Sequence, residues 1–423
     1  MNFLATLPAE STGFISFMVK QISQIELNWI GEIIKFLVEG IGITAVGVII
    51  FTLILKTIVM PLDVFSKVKT KKQSLIMKRM RPQMEKLQKQ YANDKAMYNQ
   101  KVMELYKKNG YSMLGICLPT VVSLVVFMVV FSQFSTYSQY ANLELYRGMV
   151  TAYNEVAQEY VYDEENPDGF LISATDSDGE AVYRVNFEKF EDYYTAHRAQ
   201  NDPTYEALTA EVNVEEADEY EHDMFVIIKD YMAEFAREAS ANYYHEHNQG
   251  FMWVGNIWYP DSMLNKEVPT FDKFVSSLSR ASDLSNYEES YNEVTAHLDK
   301  QKDTYNGYFV LIVLAIGMMF LSQFFMMRMQ KDMNELGTVD GSGQRTNKWM
   351  LILMPIIYGV FSFFYSAAFS LYMITNTLYS FVTTLIVNKA LDVKFRKLEE
   401  RQELDKYLRK PSKAEKQVKR NKR

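Results

Sequence analysis

The sequence predicts an all-α polytopic membrane protein with five transmembrane helices, a cytoplasmic helical hairpin and an extracellular α+β insertion domain. Three observations predict this fold class. Several apolar runs of about 20 residues are long enough to cross the hydrocarbon core of a bilayer as helices. Two of the intervening or flanking segments are strongly basic, and one is strongly acidic. Because basic loops are retained in the cytoplasm, the charges also indicate the direction of each crossing.

Residues 1–40 are expected to form an outer segment rather than a secretory signal peptide, because they lack a basic n-region and no A-x-A-like site follows an apolar core. Within them, residues 14–39 place apolar side chains three and four apart, which predicts an amphipathic helix. Such a helix either lies along the membrane interface or packs as an ordinary helix.

The first span is predicted at 41–65. It contains Lys56, five residues before Pro61, and a charge at this depth is costly unless it faces water or a partner.

A cytoplasmic helical hairpin is predicted at 66–111, where about 13 Lys and Arg residues accompany about three acids. Pro82 is expected to start or kink a helix there. Apolar side chains recur three and four apart along both arms of the hairpin. Two interpretations of its methionine stripe remain open: it forms the seam between the two arms, or it forms a soft surface for apolar clients.

The second span is predicted at 112–134, and an acidic extracellular domain follows at 135–307. This domain has about 35 acidic and about 11 basic residues, which gives a net charge of about −24 and favours the outer side. Residues 169–187 predict a β-hairpin with Ser-Asp-Gly at its turn. Helices are expected on both flanks, at about 140–160 and 222–245.

The apolar run from 349 to 387 is nearly twice as long as the hydrocarbon core, so it must reverse once, and residues 366–370 are the expected reversal. Five spans place the N-terminus outside and the C-terminus in the cytoplasm. The remaining predicted elements are the third span at 308–327, a cytoplasmic loop at 328–347, the fourth span at 348–365, the fifth span at 369–388 and a basic cytoplasmic tail at 389–423.

Four ordered motifs carry a family resemblance. They are LKTIVMPL at 55–62, IMKRMRPQMEKLQKQY at 76–91 followed by SMLGICLP at 112–119, GFMWVGNIWYPDSM at 250–263, and the apolar text from 353 to 380. In this order they resemble the first core span, the cytoplasmic hairpin, the outer loop and the last two core spans of the bacterial YidC-like members of the YidC/Oxa1/Alb3 insertase family. The sequence departs from the family at three places. Lys56 stands where arginine is usual, Tyr365 to Ala368 replace a turn with proline and glycine, and the outer loop is enlarged.

The resemblance implies a membrane protein insertase and chaperone that moves nascent membrane proteins from the cytoplasm into the bilayer. It implies a hydrophilic groove, closed to the outside, in which Lys56 attracts acidic groups of a client. Lys56 could instead extend to the inner interface, and each polar residue in a span could instead bond a neighbouring helix. The candidate groove and client-contact residues are Thr52, Ser123, Gln133, Tyr372, Thr375 and Asn376, with Thr44, Thr57 and Gln323 as weaker candidates.

The basic hairpin and tail suggest partners that carry phosphate. Ribosomal RNA and lipid headgroups compete as explanations for these charges. The sequence leaves open whether the chain works beside a Sec translocon, and it implies no DNA partner. The hairpin residues expected to contact clients or the ribosome are Met77, Met80, Met84, Arg79 and Arg81.

No enzyme, cofactor or metal is expected. The sequence has no P-loop, G-x-S-x-G or H-E-x-x-H motif. His245 and His247 are two residues apart, so on a helix they point to different faces and lack a third ligand nearby. Two other function classes remain as alternatives: a small-solute transporter, which the absence of an internal repeat disfavours, and a membrane-anchored receptor or adhesin.

Overall fold

The computed structural model describes residues 18–110, 114–164, 166–175, 181–186, 189–190, 192, 217–278, 284–329, 353, 355–357 and 359–408. The chain divides into two compact units, each of which is described separately. The first comprises Met1–Glu32 and Ser135–Phe309, and the second comprises Ile33–Phe134 and Val310–Arg423.

Most of the described chain is helical, so the predicted predominance of α-helix is confirmed. The helices are α1 Trp29–Ile41, α2 Thr44–Gln90, α3 Lys95–Lys108, α4 Leu114–Gln158, α5 Ala217–His247, α6 Phe271–Ser277, α7 Glu288–Val294, α8 Asp299–Asp303, α9 Val310–Met329 and α10 Ala367–Leu408. The strands are β1 Leu171–Thr175 and β2 Ala181–Val185, and a 3-10 turn covers Ser285–Tyr287.

Among the described residues, two helices are long and apolar enough to cross a membrane. They are α2 and the first part of α10, Ala367–Lys397. Two shorter apolar helices, Val310–Met326 within α9 and Pro355–Phe364, accompany them. The number of crossings and their directions stay predictions.

Helix α2 joins the predicted first span and the first arm of the hairpin in one helix of 47 residues. Pro61 and Pro82 both lie inside it, so the helix start expected at Pro82 is absent. A proline inside a helix removes a hydrogen bond and costs about 3 kcal/mol. Around Pro82 this cost is offset by packing, because Met80 and Met84 are both almost fully buried.

The second arm of the hairpin is α3, which begins where the Asp94 carboxylate accepts a hydrogen bond from the Met97 amide at 3.0 Å. An acidic N-cap satisfies a helix amide that would otherwise lack a partner. Residues 91–94 therefore connect the two arms, as the break in the apolar pattern indicates.

The described N-terminal residues 18–28 have no regular secondary structure, so the predicted helix at 14–39 is wrong over this stretch. Side chains from elsewhere in the first unit satisfy its backbone. The Val19 amide donates to Asn154 at 3.0 Å, and the Asn154 side chain donates back to the Val19 carbonyl at 3.1 Å. The apolar residues of this stretch are buried without forming a helix, as Ile22 is in the core of this unit. The helix begins later, after Asn28, whose side chain accepts from the amide of Gly31.

The predicted β-hairpin at 169–187 is present, with β1 and β2 paired antiparallel from Leu171↔Val185 to Thr175↔Ala181. Its turn lies outside the described residues. The strands pack with Tyr160, Phe190 and Met232 in a small apolar cluster. The expected flanking helices are present as the end of α4 and as α5.

A larger aromatic core holds α4, α6 and α7 together in the first unit, with Tyr146, Phe274 and Tyr291 at its centre. At its edge Arg237 donates to both oxygens of Glu293, at 2.8 and 3.1 Å. The Tyr153 hydroxyl donates to the same carboxylate at 3.1 Å. Burial, together with the charge of Glu293, raises the pKa of the Tyr153 hydroxyl, so it remains a donor at neutral pH.

We expect Glu293→Gln to weaken this corner of the first unit. The substitution removes the bidentate ion pair of Arg237 and should cost about 1–3 kcal/mol. Hydrogen–deuterium exchange of α7 in the full chain measures the effect. Glu289→Gln on the same helix is the control, because Glu289 is exposed. Equal exchange in the two variants would contradict the structural role of the pair.

Candidate functional site

Helices α2 and α10 lie side by side in the second unit. Tyr372 packs on Phe134 at 5.2 Å, and Phe134 packs on Phe51 of α2 at 5.6 Å between ring centroids. Further along, the Thr57 and Tyr379 hydroxyl oxygens are 3.4 Å apart. Still further, Lys71 Nζ is 2.5 Å from Asp392 Oδ1. Residue numbers rise together on both helices, so the two helices run parallel.

Lys56 lies on α2 between the first and second of these contacts and is half-buried. On α10 the same height corresponds to the turns that contain Asn376 and Tyr379. Among the described residues no carboxylate pairs with the Lys56 ammonium group within 4.0 Å, and Asp63 acts on it at longer range. The ammonium group therefore retains capacity for another anion.

The packing around Lys56 changes along both helices. On α2, Thr52 is the last buried position before the hairpin, and every described position from Leu53 to Ile76 is half-buried or exposed. On α10, residues 367–373 are all buried, Asn376 is half-buried, and the buried positions after it, such as Thr377, are isolated. Lys56 and Asn376 thus lie just beyond the last continuously buried stretch before the hairpin on α2 and on α10.

An aromatic cluster closes the densely packed end. Its rings come from α4 (Phe127, Phe131, Phe134), from the helical segment before α10 (Phe361, Tyr365) and from α10 itself (Phe369, Tyr372), with centroid separations from 4.3 to 6.4 Å. Sequence reasoning missed this cluster. The spacing of the three α4 phenylalanines, three and four apart, is the signal that could have found it.

The same cluster surrounds the point where the helix is interrupted between the last two apolar segments, which contains no proline or glycine. The helix ends at Phe364, and α10 begins at Ala367. The Ser366 hydroxyl accepts a hydrogen bond from the Phe369 amide at 3.4 Å. Ala367 and Ala368 are fully buried, so their small side chains permit close packing at the break.

The predicted polar residues divide into two groups. Thr52 is fully buried and donates to the Val48 carbonyl at 2.7 Å, and Thr375 donates to the Leu371 carbonyl at 2.9 Å. These hydroxyls bond their own helices. Asn376 is half-buried on the face of α10 that also carries Tyr372, and Tyr372 itself is buried in the aromatic cluster.

The remaining candidates are spread over three helices. Gln133 of α4 and Gln323 of α9 are half-buried, Thr44 is buried, and Thr57 is exposed. The side chain of Ser123 lies outside the described residues. The structure therefore brings Lys56, Thr57 and the Asn376–Tyr379 turn to one place and leaves the others apart.

Met77, Met80 and Met84 form the seam of the hairpin. They are only 4%, 1% and 2% exposed and pack against Val102 of α3. Of the two interpretations of this stripe, the structure shows the seam, so these side chains do not form a surface for clients. Arg79 and Arg81 are exposed, and Arg81 is 3.2 Å from Glu85 on the same helix.

The described residues contain no cluster of three or more His, Cys, Asp or Glu side chains that could hold a metal ion. In the His245-Glu246-His247 stretch, the His247 ring stacks on Tyr243 at 3.9 Å.

A comparison with protein-family models matches residues 36–162 and 242–394 to the family described as 60Kd inner membrane protein. The match covers more than half of the chain and includes the helices that carry the site. This chain belongs to that family, which is the YidC/Oxa1 family of membrane proteins. Residues 163–241, within the first unit, fall outside the match.

The chain is similar to curated proteins named membrane protein insertase YidC. One from Fusobacterium nucleatum is 35% identical over 108 residues, which are 25% of this chain and 51% of the relative. One from Leptospira interrogans is 35% identical over 107 residues, or 25% of this chain and 16% of the relative. One from Caldanaerobacter subterraneus is 26% identical over 113 residues, or 27% and 53%. The chain spans about half or less of the length of these relatives, and no solved structure matches it.

Because Met80 is in the seam, we expect Met80→Ala to loosen the hairpin by about 2–5 kcal/mol, the usual cost of truncating a buried methionine. Faster hydrogen–deuterium exchange of α3 measures this loss. Met103→Ala on α3 is the matched control, because Met103 is 48% exposed and should change exchange little. Equal exchange in the two variants would contradict the seam.

Proposed function

We propose that this protein is a membrane protein insertase and chaperone that moves nascent membrane proteins from the cytoplasm into the lipid bilayer. Family membership and the names of its relatives support this function. The observation that carries the mechanism is the position of Lys56. It is half-buried, without a close carboxylate among the described residues, just beyond the buried residues Phe51 and Thr52 of α2.

In this mechanism the cation lowers the cost of bringing an acidic client tail into the membrane. Two opposite charges 4 Å apart attract with about 4 kcal/mol at an effective dielectric constant near 20, compared with about 1 kcal/mol in water. A hydrated groove open to the cytoplasm shortens the apolar distance that the tail must cross. Transfer of the client's apolar helix into lipid supplies the free energy, so no nucleotide is required.

The face of α10 that carries Tyr372 and Asn376 is the proposed path of the client helix. Asn376 offers exchangeable hydrogen bonds beside Lys56, and the aromatic cluster around Tyr372 closes the groove at its outer end. Gln133 and Ser123 extend the proposed polar lining along α4. Thr52 and Thr375 contribute less, because each hydroxyl bonds its own helix.

The proposed topology has the N-terminus outside and the C-terminus in the cytoplasm of a bacterial cell, with five spans in the plasma membrane. Parallel α2 and α10 support it, because two helices that cross in the same direction must run parallel. The basic hairpin and tail would then meet the ribosome and anionic lipids. Whether a Sec translocon takes part stays open.

We expect Lys56→Glu to reduce insertion of a single-span client with an acidic outer tail by at least about tenfold, which corresponds to a loss of 1.4 kcal/mol. Repulsion replaces attraction at the place where the tail enters the groove. Lys56→Arg should retain insertion. The measurement is protease protection of the tail in cells depleted of their own insertase and supplied with each variant.

Lys72→Glu is the matched control, since Lys72 is exposed on the same helix and lies outside the proposed groove. It changes the net charge of the chain equally. Equal insertion by wild type, Lys56→Glu and Lys72→Glu would remove Lys56 from the mechanism.

The double variant Arg79→Glu, Arg81→Glu should weaken binding to ribosomes and reduce the dependence of binding on salt. Both arginines are exposed on the hairpin, and phosphate contacts release counterions in proportion to their number. Co-sedimentation with ribosomes over a salt series measures the slope. If binding to ribosomes is unchanged and binding to anionic vesicles falls, the arginines serve lipid instead.

A further inference from the structure

The outer unit contains an uncharged surface segment in an otherwise acidic domain. From Gly250 to Asn265 the only charged residue is Asp261, and its side chain is fully buried. The same segment exposes large apolar side chains. Met252 is 77% exposed, Leu264 is 63% exposed and Met263 is 44% exposed. We call the segment from Gly250 to Asn265 the outer loop.

Asp261 fastens the outer loop to the residues that precede α9. Its carboxylate accepts from the Tyr308 amide at 2.7 Å and from the Trp253 ring nitrogen at 3.4 Å. Its backbone carbonyl accepts from the Phe309 amide at 3.2 Å. One peptide bond joins Phe309 to Val310, the first residue of the apolar helix α9. The outer loop is therefore bonded to the two residues that directly precede α9 in the sequence.

Met252 occupies a backbone conformation that glycine or asparagine adopts more easily, with φ of 53°. A tight turn holds it there, because Phe251 and Val254 exchange two backbone hydrogen bonds, at 2.8 and 2.9 Å. A methionine at the exposed tip of this turn is unfavourable in two ways: its backbone conformation is strained, and its apolar side chain faces water. Its presence indicates a contact outside the chain.

We propose that the outer loop inserts Met252, Met263 and Leu264 into the outer leaflet of the membrane. The proposal requires α9 to be a membrane helix, and it does not require the insertase function. Anionic lipid repels the acidic surface of the outer unit, so an uncharged segment is the part that approaches the membrane most readily. Tyr305 and Tyr308, both about half exposed, flank the start of α9 as interfacial aromatic residues do.

The test places a polarity-sensitive fluorophore at Met252→Cys or Leu264→Cys in full-length protein that also carries Cys117→Ser. The protein is reconstituted in nanodiscs of phosphatidylethanolamine and phosphatidylglycerol with headgroup-level quencher lipids. Glu246→Cys, exposed on α5, is the control position. We expect blue-shifted emission and at least twofold stronger lipid quenching at positions 252 and 264 than at 246. Quenching equal to the control, with full access to soluble iodide, would overturn the proposal.

A second variant separates anchoring from folding of the outer loop. Met252→Asn suits the turn but removes the apolar tip, so it should reduce lipid quenching of the probe at position 264. Met252→Leu should preserve that quenching. If Met252→Asn leaves the quenching unchanged, the Met252 side chain does not anchor the loop. None of these measurements depends on client insertion. A negative result would therefore reject membrane insertion of the outer loop without rejecting the insertase function, and loss of the insertase function would not reject insertion of the loop.

Discussion

A lysine in an apolar helix needs either water or an anion beside its ammonium group, and this requirement organises the second unit. On one side of Lys56, the buried positions of α2 and α10 pack against an aromatic cluster. On the other side, the described positions of α2 as far as Ile76 are half-buried or exposed, and α10 has only scattered buried positions such as Thr377 and Thr384. A charge at the boundary between these regions can stay hydrated from one direction while dense packing closes the other.

The choice of lysine fits a transient encounter. An arginine holds a carboxylate through two directed hydrogen bonds, whereas a lysine ammonium acts as a point charge with few geometric demands. In the proposed mechanism client tails differ in sequence and must leave the groove again, so an attraction without fixed geometry would serve many of them. Asn376, at a similar height on α10, adds neutral hydrogen-bonding capacity without a second charge.

The predominance of helix could be predicted from hydrophobic periodicity, because this pattern reports burial directly, whereas the sidedness inferred from charge stays a prediction. Periodicity misled where another interaction satisfied the backbone. Residues 18–28 have helical spacing but bond Asn154 and Ser290 in an irregular conformation. Pro82 predicted a helix start, yet the buried methionines around it keep α2 continuous. In both cases contacts distant in sequence outweigh the local signal.

The candidate site was predictable in part. The position of Lys56 on a long apolar helix could be predicted from the sequence, and its depth in a membrane stays a prediction. The partners of Thr52 and Thr375 do not, because a threonine in a helix can bond its own carbonyl or a neighbouring helix with similar ease. The length of the apolar run predicted a break near Ser366, but not the seven aromatic rings from three chain segments that pack around it.

The central claim is that Lys56 meets water from the cytoplasmic side alone. The direct measurement is labelling of Lys56→Cys, in protein that carries Cys117→Ser, with a membrane-impermeant thiol reagent added to either side of oriented membranes. Ile58→Cys serves as a reference, because Ile58 is 71% exposed on the apolar part of the same helix and should face lipid. We expect labelling at position 56 from the cytoplasmic side, none from the outside, and none at position 58. If Lys56→Cys resists labelling from both sides, a groove open to the cytoplasm at Lys56 is contradicted.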